Sequence, residues 1–449
     1  MKAVWLEDGH FSMREIAQPE YDDETEALVR VRRAGVCSTD HQLQQGYYPF
    51  TGVPGHEFVG IVVQCPSAVQ WIGKRVVGRI NVVCHKCEFC ERGLTSHCSR
   101  RSVLGIVKKK GAFAEYLSLP VDNLLVVPEC LPDAVACFAE PLAAALEIQE
   151  QISIKRTDDV LIIGDGKLAL LVAQTVASTG CALRVSGHHS TKLRTLHNFS
   201  NIQTSTTNDL LTDDTYDIVI ECAGHPDAFA TAVNCAKARG TVVLKSTYAA
   251  PLTAHVHPIV VKELTVVGSR CGPMEKALEL LARAHTSEHP ASSNVAQLNV
   301  RSLLTAELPF ADALHAIETS KQKESLKVQL RERSRNFLHT IRWARQQKAH
   351  QLLTDYKILK QHDPGWLANT PSPRPGESRY AWYQRWFRYA NRELLRRYRN
   401  TTASTTAVES TERTTHTTTT AVHAATVMST KVHKQKTNNA NENSYKKHA

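Results

Sequence analysis

The chain runs to 449 residues, 42% of them apolar and 22% charged, which is enough to bury a large core and too much for one ordinary domain. No apolar run approaches the roughly 20 residues of a membrane span, and Met1 to Ile16 has no signal-peptide core, so the expectation is an unexported, cytoplasmic protein with no membrane segment. The formal charge of +10 resembles a nucleic-acid signature until it is located: residues 331–449 carry 22 basic against 8 acidic side chains, and residues 1–330 carry 32 against 36. All twelve cysteines precede Arg331 and four of the six tryptophans follow it, so composition alone draws a boundary there.

In chain order, Ala27 to Arg32 alternates as a strand, and Phe58 to Val63 and Arg75 to Val83 are β-branched runs, which together predict an irregular β-rich domain. From Asp158 the texture changes. A strand at Val160 to Ile163, a glycine turn, a helix over Leu168 to Thr179 and a strand at Leu183 to Val185 make a βαβ unit. Strands at Asp217 to Glu221, Thr241 to Leu244 and Glu263 to Gly268, with a helix over Ala228 to Ala238, continue the alternation and predict a doubly wound parallel sheet of Rossmann type. Helices at Glu275 to Ala284 and Ala311 to Thr319 and a last strand at Leu326 to Leu330 follow.

Beyond that point, Phe337 to Leu359 and Tyr380 to Arg399 read as basic, aromatic helices joined by the Pro- and Gly-containing stretch Asp363 to Glu377. Thr401 to Thr430 has 13 threonines in 30 positions and cannot bury enough surface to offset chain entropy, so residues 401–449 are expected to be disordered.

The strongest local signal is Cys84, Cys87, Cys90 and Cys98, whose short tethers allow four thiolates to close around one tetrahedral ion. Such a site leaves no open position for substrate, which predicts structural zinc; iron-sulfur ligation and unligated buried cysteines are the other readings. Cys37 in Gly35-Val36-Cys37-Ser38-Thr39-Asp40 and His56 in Gly55-His56-Glu57 are weaker alone, since a lone Cys or His is more often structural. With Glu140 of Ala139-Glu140-Pro141-Leu142 they would supply the three protein ligands of a catalytic zinc.

Gly164-Asp165-Gly166-Lys167-Leu168-Ala169 follows a predicted strand and opens a predicted helix. In that context Gly164 permits the tight turn, Gly166 lets the backbone approach a pyrophosphate, and Ala169 is the small residue for helix against strand. The acid expected about 20 residues further on, which would bind the adenosine ribose of NAD, is absent. Val185-Ser186-Gly187-His188-His189-Ser190-Thr191-Lys192 stands there instead, so Ser186, His188 and Lys192 could receive a 2′-phosphate and NADP is favoured over NAD. The bland alternative is a solvated turn that touches no ligand.

With these pieces, Met1 to about Arg331 resembles the zinc-dependent medium-chain dehydrogenase/reductase family, in a branch close to the alcohol, threonine, sorbitol and glucose dehydrogenases. The resemblance is carried by the Cys37 and His56 motifs, the four-Cys lobe, Gly111-Ala112-Phe113-Ala114-Glu115-Tyr116, Glu140-Pro141-Leu142, the Gly164 turn and Glu221-Cys222-Ala223-Gly224. It implies a GroES-like catalytic domain over residues 1–153, a Rossmann domain over 154–270 and a return to the catalytic domain over 271–332, ahead of the basic extension (333–400) and the tail (401–449). It implies two zincs per chain, with Cys37, His56 and Glu140 at the catalytic one, Glu57 as a neighbouring or exchanging ligand, and Asp40 orienting His56 from behind.

The resemblance further implies that zinc acts as a Lewis acid on an alcohol or polyol, or on the carbonyl in the reverse direction. Thr39 relays the proton and hydride passes to NADP or NAD. Some relatives carry a relay His five residues after the zinc Cys; this chain has Gln42 there and His41 one place earlier. Gly46-Tyr47-Tyr48-Pro49-Phe50 either flanks the substrate pocket or packs as an ordinary loop. A homodimer or homotetramer is implied.

The tail has no counterpart in that pattern. Trp382-Tyr383-Gln384-Arg385-Trp386-Phe387-Arg388-Tyr389 interleaves aromatics and arginines, a composition suited to phosphates and bases, with a helical extension packing its aromatics on the enzyme body, or a fused coding segment without a role, as the other readings. The rival function is therefore a catalytically silent dehydrogenase scaffold that binds a partner, nucleic acid included, through this extension. The intact set Cys37, Thr39, His56 and Glu140 argues for the enzyme.

Overall fold

The computed structural model describes residues 1–206, 209, 211–247, 256–286 and 298–332. The expected basic helical extension and Thr-rich tail lie outside the described residues. Among the described residues no helix is long and apolar enough to cross a membrane.

Two sheets organise the chain. The first has seven strands, in the order Leu124–Val126, Arg75–Gly78, Glu57–Gln64, Glu26–Gly35, Lys327–Arg331, Leu304–Pro309, with Tyr116–Pro120 also paired to Glu26–Gly35. Glu57–Gln64 is central and buried along nearly its whole length, which accounts for its run of apolar residues where an exposed strand would alternate. Lys327–Arg331 pairs antiparallel with the end of Glu26–Gly35, setting Gln329 opposite Gly35, so the chain returns to this sheet after leaving it for over a hundred residues. The single run expected over Arg75 to Val83 is two strands, Arg75–Gly78 and Asn81–Val82, because the second turns away to pair with Ser102–Leu104 beneath the cysteine lobe.

The second sheet is six-stranded and parallel throughout: Ile202–Thr206, Ala182–Gly187, Asp159–Ile163, Tyr216–Glu221, Ala236–Leu244, Thr265–Gly268. In order of appearance this is 3-2-1-4-5-6, the doubly wound arrangement whose crevice opens beyond the carboxyl ends of the first and fourth strands. Ile202–Thr206 escapes sequence reading because it is polar (Ile-Gln-Thr-Ser-Thr) and lies at the sheet edge.

The helix expected to Ala238 ends at Cys235, and Ala236 opens a strand with φ −72° and ψ 133°. Pairing of Ala236 with Tyr216 overrides the helical preference of alanine.

Helix Lys167–Ala177 is buried at every position from Ala169 to Ala177 because it is enclosed by the parallel sheet on one side and helix Ala139–Gln151 on the other. Ala139–Gln151 also packs against Met274–Thr286. Its apolar face, Leu142, Ala145 and Ile148, joins the core of the parallel sheet, and its first turn carries Glu140.

Candidate metal centres and nucleotide cleft

Cys37 sits where strand Glu26–Gly35 gives way to the short helix Ser38–Gln44, and it caps that helix. Asp40, completely buried, accepts the Cys37 backbone N–H at 2.8 Å and so pins the backbone of Cys37 at the helix start. His56 directly precedes the central strand Glu57–Gln64, so strand pairing brings His56 and Glu57 to the end of the sheet where Cys37 leaves it. Ligand atoms of Cys37, His56 and Glu57 all lie within 4.8 Å of one another. Asp40 Oδ1 approaches His56 Nδ1 to 3.7 Å, longer than a hydrogen bond.

Charge around this trio is concentrated and buried. The Glu57 carboxylate pairs with the Lys327 ammonium, both fully enclosed. Gly35 is what admits the carboxylate: a Cβ there would fall 2.1 Å from Glu57 Oε2. A second ammonium, Lys167, comes from the first turn of the nucleotide-side helix and donates to the Val36 carbonyl at 2.7 Å, where Lys327 also reaches at 3.3 Å.

The titrations follow from these neighbours. Burial alone would raise the Cys37 thiol, but the Lys167 ammonium and His56 outweigh it and bring the thiol down to about 5. Burial would lower His56, but its hydrogen bond to Cys37 and the surrounding anions lift it to about 10. Burial raises Glu140 to about 7 against the attraction of His56, while Lys327 holds Glu57 below the usual carboxylate range in spite of its burial.

The donor chemistry fits zinc: a thiolate-prone cysteine, an imidazole and one carboxylate converge, with Glu57 Oε1 buried and unpartnered. Glu140 is half-buried and lies outside the close trio, near enough for its charge to act on His56 and Cys37. Thr39 Oγ1 lies 3.7 Å from Cys37 Sγ.

The cysteine lobe is a separate construction. Cys87 and Cys90 sulfurs are 3.5 Å apart, as are Cys98 and Cys84, all four lie within 4.8 Å, and none is in a disulfide. A tetrahedral zinc with Zn–S bonds of about 2.3 Å requires sulfurs about 3.8 Å apart, so the cage is already near the size of the ion. Backbone N–H groups, first that of Cys90, bring Cys87 down to about 6.

The nucleotide cleft opens beyond strand Asp159–Ile163. Gly164 has φ +128°, and a Cβ there would meet the Cys222 carbonyl at 2.9 Å. Gly166 caps helix Lys167–Ala177, and a Cβ there would meet nothing within 4 Å, so the space before the helix N-terminus is open to a ligand. Ala169 is fully buried, as helix-to-strand packing requires. Glu221, fully buried, accepts the Ala223 and Gly224 N–H groups at 2.7 and 3.0 Å and shapes the opposite rim.

Of the residues read as 2′-phosphate receivers, Ser186 is buried with its hydroxyl unpartnered, His188 is exposed and Lys192 is half-buried in the short helix Ser190–Leu193. Sequence reasoning missed Lys167, Lys327, Asp165 and His189. An acid and a lysine set among glycines in an otherwise apolar turn were the available signal for two of them.

Gln42, at the relay position, donates to the Thr247 carbonyl at 2.6 Å and accepts from Thr247 Oγ1, tying helix Ser38–Gln44 to the far rim of the cleft. His41 turns away, its Nε2 2.8 Å from Ser320 Oγ, and burial lowers it to about 4. Tyr48 is 41% exposed on its loop.

Comparisons with known proteins agree with this geometry. The family model for the alcohol dehydrogenase GroES-like domain matches residues 23–129, and that for zinc-binding dehydrogenase matches 195–284. Sorbitol dehydrogenase of Halalkalibacterium halodurans is 28% identical over 342 residues, 72% of this chain and 96% of that protein. Erythritol/L-threitol dehydrogenase of Mycolicibacterium smegmatis is 30% identical over 305 residues, 61% of this chain and 84% of that protein. Among solved structures, a zinc-binding dehydrogenase of Sinorhizobium meliloti bound to NADP is similar over 74% of this chain and 98% of that one, with 28% identity and a TM-score of 0.65.

Proposed function

The chain belongs to the zinc-dependent medium-chain dehydrogenase/reductase family, an NAD(P)-dependent oxidoreductase, and from that premise we propose how its residues act. The reaction proposed is hydride transfer between the CH–OH group of an alcohol, preferentially a polyol, and the nicotinamide. The observation that carries it is the convergence of Cys37, His56 and Glu57 within 4.8 Å, joined to an open glycine cleft by Lys167.

We propose two zincs per chain, one held by Cys37, His56 and Glu140 with Glu57 as the exchanging neighbour, the other by Cys84, Cys87, Cys90 and Cys98. Zinc at the first site supplies a Lewis acid that lowers the pKa of a substrate hydroxyl. Thr39 Oγ1 would relay that hydroxyl's proton outward, accepting it while passing its own on to solvent. Asp40 holds Cys37 in place through its backbone N–H, and the N–H groups at the start of helix Lys167–Ala177 receive the pyrophosphate of the dinucleotide.

The polyol preference rests on a carboxylate rather than a thiolate in the proposed ligand set and on the sorbitol and erythritol/L-threitol relatives. A homodimer or homotetramer is proposed as the working form. No observation on the described residues favours a binding protein acting through residues 333–449.

The test is elemental zinc on the protein and on Cys37→Ala, with nicotinamide reduction followed over a panel of alcohols and polyols. Two zincs falling to one, with turnover lost, is the expected result. One zinc in both proteins and no turnover on any panel member would overturn the proposal.

A further inference from the structure

Dinucleotide-binding sheets separate NAD from NADP with a carboxylate at the end of the second strand, which accepts from the adenosine ribose hydroxyls and repels a 2′-phosphate. Here the second strand, Ala182–Gly187, runs out into His188-His189-Ser190 with no acid of its own. The fold supplies one from another place.

Asp165, between the two glycines of the turn, sends its side chain across to the end of that neighbouring strand. Its Oδ2 accepts the His189 backbone N–H at 2.6 Å and lies 3.0 Å from His189 Nδ1. Gly187 makes the crossing feasible, since a Cβ there would fall 2.5 Å from Asp165 Cβ and 2.8 Å from Oδ2. Both hydrogen bonds engage Oδ2, so Oδ1 keeps its capacity to accept, and the residue is held at 8% exposure with no lysine or arginine paired to it among the described residues. The carboxylate therefore reaches the strand end from the glycine turn, where reading along the strand could not reveal it.

We propose that Asp165 is the residue that reads the adenosine ribose in this chain and that it selects NAD over NADP. Of the three groups read as receivers of a 2′-phosphate, Ser186 is buried at the strand end, His188 directly precedes His189, and Lys192 lies three residues beyond it in helix Ser190–Leu193, so a phosphate placed for them would come up against the carboxylate that His189 already holds. Like charges at such range in a partly dry site repel strongly, and a hydroxyl in the phosphate's place gains an acceptor instead. The assignment rests on the dehydrogenase reading above and deepens it by naming the cofactor.

The full-length protein, without substrate, is titrated with NADH and with NADPH, and binding is followed by nicotinamide fluorescence and by calorimetry. NADH is expected to bind tighter by about tenfold or more, the scale of a hydrogen bond to a charged group. Asp165→Asn, which keeps the shape and an acceptor for the His189 N–H but removes the charge, is expected to shift the NADPH-to-NADH ratio of Kd toward NADPH by at least about tenfold.

A wild-type protein that binds NADPH as tightly as NADH overturns the proposal without any variant. So does an unchanged ratio in an Asp165→Asn protein whose circular dichroism and melting match the wild type. Should that variant not fold, displacement of NADH from the wild type by 5′-AMP and by 2′,5′-ADP decides: better displacement by 5′-AMP supports the assignment, and better displacement by 2′,5′-ADP overturns it. Binding of neither dinucleotide would overturn the dehydrogenase reading itself, and the assignment with it.

Discussion

The two candidate metal centres are built on opposite plans. The lobe draws its four donors from one stretch, Cys84 to Cys98, and three of its four cysteines are only half-buried. The other centre takes Cys37 from the end of one strand, His56 and Glu57 from the start of the next, Glu140 from a helix turn, and its supporting ammonium groups from Lys167 and Lys327. A closed ion cage needs only short tethers, so local chain suffices. A centre that must leave room for substrate has to be held open by the fold, and the cost of that is buried charge.

Replacing one partner of the buried pair should therefore have the largest effect on stability. Lys327→Met leaves Glu57 charged and unpaired, and is expected to lower unfolding stability by about 3–5 kcal/mol, read by denaturant titration. Restoring most of that loss with Lys327→Met and Glu57→Gln together would sharpen the contrast; a single variant as stable as wild type would break it.

Gly35→Ala tests the same centre by volume. Its methyl group would meet the Glu57 carboxylate, and overpacking of this kind costs about 1–3 kcal/mol. The same substitution at Gly93, where a Cβ meets nothing within 4 Å, strains only a positive φ of 74° and should cost less.

Cys98→Ser should act locally. One zinc is lost and amide exchange accelerates across residues 82–104, while exchange in the parallel sheet stays as it was. Acceleration spreading into Asp159–Ile163 would show that the lobe is not self-contained.

The smallest effect is expected at the exposed ion cluster of Lys237 with Asp159 and Asp217, all over a third exposed. Against what burial it has, the Asp159 backbone N–H and the Lys237 ammonium hold Asp217 below the usual carboxylate range. A depressed carboxyl stabilises the folded state above its unfolded pKa, about 3.9, and that contribution fades as pH falls through the lower folded value. Asp217→Asn should thus cost under about 1 kcal/mol at neutral pH and nothing in strong acid. A cost comparable to that of Lys327→Met would show that exposure does not separate the two pairs.

Legibility in the sequence followed the same division. Four cysteines at short spacing and a glycine turn between strand and helix are local patterns, and both are visible in the residues themselves. Cys37 and His56 became readable only in combination, because each alone has an ordinary structural use. What stayed hidden was made by pairing across the chain. Lys327 reads as one residue of a short strand until that strand lies beside Glu26–Gly35 and delivers its ammonium to Glu57. Asp165 reads as a turn residue until the parallel pairing of Asp159–Ile163 with Ala182–Gly187 brings His189 to it. Ala236 has a helical preference that only its partner Tyr216 reverses.

Lys167 opens the cleft-side helix and sets its ammonium on the Val36 carbonyl beside Cys37, so a cleft ligand that moved it would be linked to a cation held at the candidate metal centre. An anion that draws this ammonium away leaves Lys327 as the carbonyl's remaining charged partner and removes a positive neighbour from Cys37. The anion's affinity and that of a cation held at Cys37 then share one coupling free energy, and reciprocity requires each ligand to change the other's dissociation constant by the same factor.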